Sequence, residues 1–209
     1  LPLGTLLGSV RIERRVARGN TATVYAATDA QGTLVAVKAL HHGGHDVDTE
    51  DAARQAFLQA AERASTLVHP HIARVLGGGF TRGIAFITME WLAGSDLSRW
   101  TRPGRQLPDA VVLAIAADLA EALDHAHRHG IVHRDIKPSN IMLTQSNDVR
   151  IIDFGIALVA DSDISRIEGI AGSPSYMSPE QIQSADITNR SDIYALGAVG
   201  ISMIFGILR

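Results

Sequence analysis

Apolar and polar positions change period along this chain, from a spacing of two near the start to helical spacing further on. Val10 to Val16 and Thr23 to Ala27 alternate and are β-branched, which predicts a strand pair around Arg18-Gly19-Asn20. Thr33 to Leu40 predicts the next strand, and His41 to Thr49, with Gly43-Gly44, a loop. Glu50 to Val68 is rich in Ala, with Phe57, Leu58 and Leu67 at helical spacing, and predicts a helix ended by Pro70. Ile72 to Leu76 and Ile84 to Met89 predict two more strands, with a turn at Gly77-Gly78-Gly79 between them.

After Ala93-Gly94 the pattern turns helical. Pro108-Asp109 begins a helix to about His129, with Val112, Ile115, Leu119, Leu123 and Ala126 on one face. Ile141 to Leu143 and Val149 to Ile152 predict a small hairpin, and Asp161 to Gly172 a polar, mobile stretch. Asp192 to Leu208 predicts the last helix, opened by the polar run Thr188 to Asp192. Its apolar part, Ala195 to Leu208, is fourteen residues long. A bilayer needs roughly 20 such residues, so a buried helix is expected and no membrane segment. A strand-rich front and a helix-rich back predict an α+β fold in two lobes. They meet near Glu90 to Gly94, a natural place for a ligand cleft.

Composition narrows this picture in three ways. A net charge of −3 without a basic block gives nucleic-acid binding no support. With no cysteine there are no disulfides or thiolate metal sites, which suits a reducing compartment. The chain starts at Leu1 without a leader and reads as a fragment or processed form.

The chemistry concentrates in His133-Arg134-Asp135-Ile136-Lys137-Pro138-Ser139-Asn140 and, after twelve more residues, Asp153-Phe154-Gly155. Phosphoryl transfer from a metal-bound nucleotide needs this set: a base, a cation and oxygen ligands for magnesium. Joint order and spacing make the run specific; a loop-stabilising ion pair would not require all four residues.

These residues resemble the catalytic and metal-binding motifs of protein kinases, and the resemblance covers residues 10 to 209. It implies Asp135 as catalytic base, Lys137 against the γ-phosphoryl group, and Asn140 and Asp153 as ligands of Mg2+ (or Mn2+). Val35-Ala36-Val37-Lys38 resembles the strand whose lysine holds the α- and β-phosphates of ATP. The phosphate loop departs from the Gly-rich pattern. Val16, Ala17, Arg18, Gly19, Asn20, Thr21, Ala22, Thr23 and Val24 keep only the central glycine, so a stiffer, weaker clamp is expected. The glutamate that pairs with the strand lysine is expected nine residues before His69, where Ala60 stands. Glu62 lies ~200° around the helix and reads as a solvated residue. Another acid, such as Asp153, is then left to hold Lys38.

Met89-Glu90-Trp91-Leu92 looks like the hinge, with backbone groups of Glu90 and Leu92 on adenine and Met89 bordering the deeper pocket. Val16, Val24, Ala36 and Met142 would enclose the ring. Gly172 to Glu180 resembles the segment that closes the activation loop, and Lys137 with Ser173 is the serine/threonine-type pattern. Ser162 and Ser165 lie before it; a phosphate on Ser165 would pair with Arg134. Asp192 is expected to accept backbone hydrogen bonds from the loop at His133.

The implied domain is 10–209, with an N-lobe at about 10–90, a hinge at about 90–94 and a partial C-lobe at about 95–209. A bacterial-type serine/threonine kinase is expected, using ATP on protein substrates in the cytoplasm and compatible with a kinase dimer. The alternative is a degenerate kinase fold serving as an ATP-binding scaffold. As the final helix lacks the cover that a whole domain supplies, the fragment alone is expected to be poorly stable.

Overall fold

The computed structural model describes residues 1–19, 22–41, 47–154, 174–183 and 185–206, and of 47–53 and 174 the backbone alone. Alternation at the start of the chain produces an antiparallel sheet in spatial order β1-β2-β3-β4-β6-β5. Its strands are β1 (Leu6–Leu7), β2 (Val10–Arg18), β3 (Ala22–Thr28), β4 (Leu34–Leu40), β5 (Val75–Thr81) and β6 (Ile84–Glu90). Leu7, Ile12, Tyr25, Val35, Val37 and Phe86 form one apolar cluster of this sheet. Helix α1 (Val47–Ser65) packs against β5 and β6 through the buried Phe57, Ala61 and Ala64.

Two boundaries differ from the pattern-based expectation. Helix α1 starts at Val47, inside the stretch expected as loop, and ends at Ser65. It stops well before Pro70 because the Ser65 and Thr66 hydroxyls donate to the Glu62 and Arg63 carbonyls, satisfying the last turn locally. Gly77-Gly78-Gly79 is strand, not turn. A side chain on Gly78 would sit 2.9 Å from the Phe86 carbonyl, so bare glycine lets β5 lie flush on β6. The turn falls instead at Arg82-Gly83, both with positive φ (51° and 79°), as a tight hairpin requires.

A second sheet, in order β7-β8-β9, follows the hinge: β7 (Gly94–Asp96), β8 (Ile141–Thr144) and β9 (Val149–Ile151). The pairing of β7 was not expected, since three polar or small residues carry no alternation. Gly94 permits it, because any Cβ there would collide with the Leu143 carbonyl. Helix α2 (Asp109–Arg128) buries Val112, Ile115, Leu119, Leu123 and Ala126, the face expected from periodicity. It packs on α4 (Asn189–Phe205), while the short α3 (Pro179–Ile182) precedes α4 with a Ser178–Gln181 capping box. Helix α4 is capped by Thr188 and closed by Gly206 in the left-handed conformation. One apolar cluster runs from Phe57 of α1 through Ile72 and Leu119 to Val199 of α4, joining sheet and helices. The result is the expected α+β fold. Among the described residues no helix is long and apolar enough to cross a membrane.

Candidate active site

The loop after α2 is held by one buried carboxylate. Asp192, 1% exposed at the start of α4, accepts the His133 amide at 2.8 Å and the Arg134 amide at 2.7 Å. The His127 ring nitrogen Nε2 also reaches it, at 2.7 Å. Arg134 takes a positive φ of 68°, and its amide and that of His133 meet the two oxygens of one carboxylate. His133 Nε2 donates to the Ile152 carbonyl at 2.8 Å, and Nδ1 accepts the Asp135 amide at 3.2 Å. Those partners select the neutral Nε2–H tautomer. Its ring meets Phe154 edge-on at 4.8 Å, so the loop and the Asp153 segment are fastened together.

On this support the charged groups converge. Asp135 Oδ2 accepts from Asn140 Nδ2 at 2.9 Å and lies 2.7 Å from Lys137 Nζ. Asn140 also donates to the Asp135 carbonyl, so both amide hydrogens are engaged and its amide oxygen remains an available acceptor. The Asn140 carbonyl accepts the Ile152 amide at 2.9 Å, bringing Asp153 alongside. Asp153, at φ 65°, holds Lys38 Nζ at 2.9 Å through Oδ2. Its other oxygen, Oδ1, is buried without a hydrogen-bond partner among the described residues. A buried, unpartnered carboxylate oxygen is costly unless a cation or donor completes it. An Asn140 amide oxygen and an Asp153 carboxylate oxygen suit magnesium by donor type, since it takes one or two carboxylates plus phosphate and water. No group of three or more His, Cys, Asp or Glu able to hold a metal occurs among the described residues.

At the opposite end, β3 and β4 pair Val24 with Lys38, and β4 and β6 pair Ala36 with Met89. Met142 lies on β8, opposite Asp96 of β7, just past the hinge. Leu92 is half-buried in the hinge, Val16, Ala17, Arg18 and Gly19 are exposed on the outer part of β2 and the loop after it, and Ala22 and Thr23 are buried. Thr23 Oγ1 bonds His41 Nε2 at 2.7 Å. Asn20 and Thr21 lie outside the described residues, as do Gly155 to Ser173 with Ser162, Ser165 and the proposed Ser165 contact to Arg134. In α1, Ala60 is half-buried and Glu62 exposed, while Lys38 is paired with Asp153.

Several contacts carried no sequence signal. The Glu90 carboxylate accepts both the Arg74 amide, at 2.8 Å, and Arg150 Nη1, at 2.9 Å. Gln181 Nε2 donates to the Arg134 carbonyl at 2.7 Å, tying α3 to the catalytic loop. Glu180 accepts the Ser191 hydroxyl, and this bond, with help from its own backbone amide, holds the carboxyl below its usual range. The partners of Glu90 and Gln181 are 16 to 60 residues away in the chain, beyond any local pattern.

A two-lobed α+β fold with this carboxylate, lysine and carboxamide grouping defines a phosphoryl-transfer site of the kinase class. The protein kinase domain family matches residues 10–208, and the chain belongs to that family. It is 35% identical to the serine/threonine-protein kinase Pkn1 of Myxococcus xanthus over 98% of this chain. It is also 35% identical to the serine/threonine-protein kinase PrkC of Bacillus subtilis over 95% of this chain. The chain spans about a third of those relatives, 30% and 31% of their lengths. Among solved structures, the kinase domain of Mycobacterium tuberculosis PknI superposes with a TM-score of 0.79 and 30% identity. That match covers all of this chain and 79% of the other. Use of ATP and a divalent metal goes with the family.

Proposed function

We propose that this chain is the catalytic part of a serine/threonine protein kinase that transfers the γ-phosphoryl group of ATP to protein hydroxyls. The observation that carries this is the joined set Lys38–Asp153, Asn140–Asp135 and Lys137–Asp135, with contacts of 2.7 to 2.9 Å. Residues 10–209 form the domain, with lobes at about 10–90 and 95–209 around a hinge at about 90–94.

Asp135 orients the acceptor hydroxyl and takes its proton at Oδ1, since Oδ2 is already engaged by Asn140 and Lys137. Lys137 neutralises charge on the moving phosphoryl group. Lys38 holds the α- and β-phosphates, exchanging part of its contact with Asp153 for them. Asn140 Oδ1 and Asp153 Oδ1 would hold Mg2+, with Mn2+ an acceptable substitute. When bound, a metal held there would offset the negative charge of the phosphates. Val16, Val24, Ala36 and Met142 enclose adenine, Met89 borders the deeper pocket, and backbone groups of Glu90 and Leu92 bond the ring. Residues Ala17 to Thr23 cover the phosphates.

ATP as donor supports a cytoplasmic site of action. Exposed Val68, Leu76 and Phe80 beside α1 and β5 are compatible with a kinase dimer. No observation favours the scaffold alternative, and the relatives are named as kinases. The test is transfer of labelled phosphate from ATP to serine/threonine peptides by the full-length protein. Asp135→Asn is expected to lower kcat about a thousandfold; transfer that persists in this variant overturns the assignment.

A further inference from the structure

The segment His71 to Arg74 belongs to neither sheet, yet its backbone is bonded on both sides. Toward β9, the His71 carbonyl accepts the Ile151 amide and the Ala73 amide donates to the Ile151 carbonyl, both at 2.9 Å. Toward the hinge, the Arg74 carbonyl accepts the Glu90 amide at 2.9 Å, and the Arg74 amide donates to Glu90 Oε1 at 2.8 Å. Arg150, next to Ile151 on β9, closes the circuit by donating Nη1 to the same Glu90 oxygen at 2.9 Å. The circuit joins Glu90, at the adenine end, to a strand that ends two residues before Asp153, at the metal end.

We propose that Arg150 and the Glu90 carboxylate are positioning residues that set the distance between the adenine-binding hinge and the Asp153 strand. The ion pair is about a quarter exposed on each side (26% and 27%), so its direct weight in stability is small. Arg150 Nε is nevertheless buried without a partner among the described residues, an arrangement that stability alone would not favour. The weight falls on geometry. Two donors from different lobes meet on one oxygen, so removing one lets the hinge shift while the other bond persists. The catalytic loop touches the chain just past this strand, at Ile152, but has an anchor of its own in Asp192, which the circuit does not include. The expected signature is therefore weaker ATP use with little change in turnover.

This inference rests on the kinase reading, and activity of the unaltered full-length protein tests that reading separately. In that protein, Arg150→Met keeps the aliphatic stem and removes the donor. It is expected to raise KM for ATP about fivefold, the scale of one partly exposed ion pair, with kcat changed less than about twofold. Since only one nitrogen of Arg150 touches Glu90, Arg150→Lys is expected to restore most of the affinity. Glu90→Gln, which retains an acceptor for the Arg74 amide, should give an intermediate KM. An unchanged KM for ATP in Arg150→Met, or a loss confined to kcat, overturns the proposal. If Arg150→Met does not fold, the Glu90→Gln and Arg150→Lys constants decide alone, and two wild-type values overturn it.

Discussion

Asp192 shows how a single buried side chain governs chemistry it never touches. Its carboxylate collects the amides of His133 and Arg134 and the ring of His127, and at 1% exposure it is shut off from solvent. Truncation leaves buried donors without an acceptor, a loss larger than that of one exchanged hydrogen bond. Asp192→Ala is expected to destabilise the fold by about 3 kcal/mol and to lower kcat, read by denaturant unfolding and by turnover. Asp192→Asn, which keeps one acceptor oxygen, should lose less. Asp153 is the counterpart in the neighbouring segment, with one oxygen on Lys38 and the other proposed as a metal ligand. Both aspartates were legible as sequence positions. With Ala60 where a glutamate was expected, Asp153 was the acid left to hold Lys38, and the two pair at 2.9 Å across 115 positions of the chain (153 − 38).

Between elements, the contact of the 69–71 segment with α2 is made of histidines. Ring centroids run His71 to His69 at 5.7 Å, His69 to His125 at 5.2 Å and His125 to His129 at 4.4 Å. Burial, then the positive charges of His125 and His71, push the His69 pKa below its usual 6.5, with Glu121 opposing. A lowered value in the folded state means that the unfolded chain binds the proton first as pH falls. Stability should therefore be level above about pH 6.5 and decline below it. His69→Gln removes part of that slope. Urea midpoints measured from about pH 7.5 down to 5.5 check this, and parallel lines for wild type and variant would contradict it. Helix α2 itself was readable from its apolar face. The β5 and β7 pairings were not, because glycines are required there by close backbone approach, which has no periodicity.

Across the whole molecule the proposed nucleotide site is a junction of two sheets, crossed by Lys38–Asp153 and Glu90–Arg150. A ligand that bridges them stabilises the native state by mass action, about 2.7 kcal/mol at a hundredfold excess over Kd. ATP with Mg2+ is expected to raise the melting temperature of the full-length protein and of Asp135→Asn alike. Lys38→Met and Asp153→Asn should lose most of that shift, so calorimetry separates binding from transfer. By itself the sequence determined the α+β order and the α2 core face, since periodicity is local and reads directly, and its motifs named the candidate residues for phosphoryl transfer. Only tertiary structure decided that His127 joins the loop amides on Asp192, that Gln181 reaches the Arg134 carbonyl, and how Arg150 and Arg74 meet on Glu90. Those contacts join residues far apart in the chain, and no local pattern encodes the packing that brings them together.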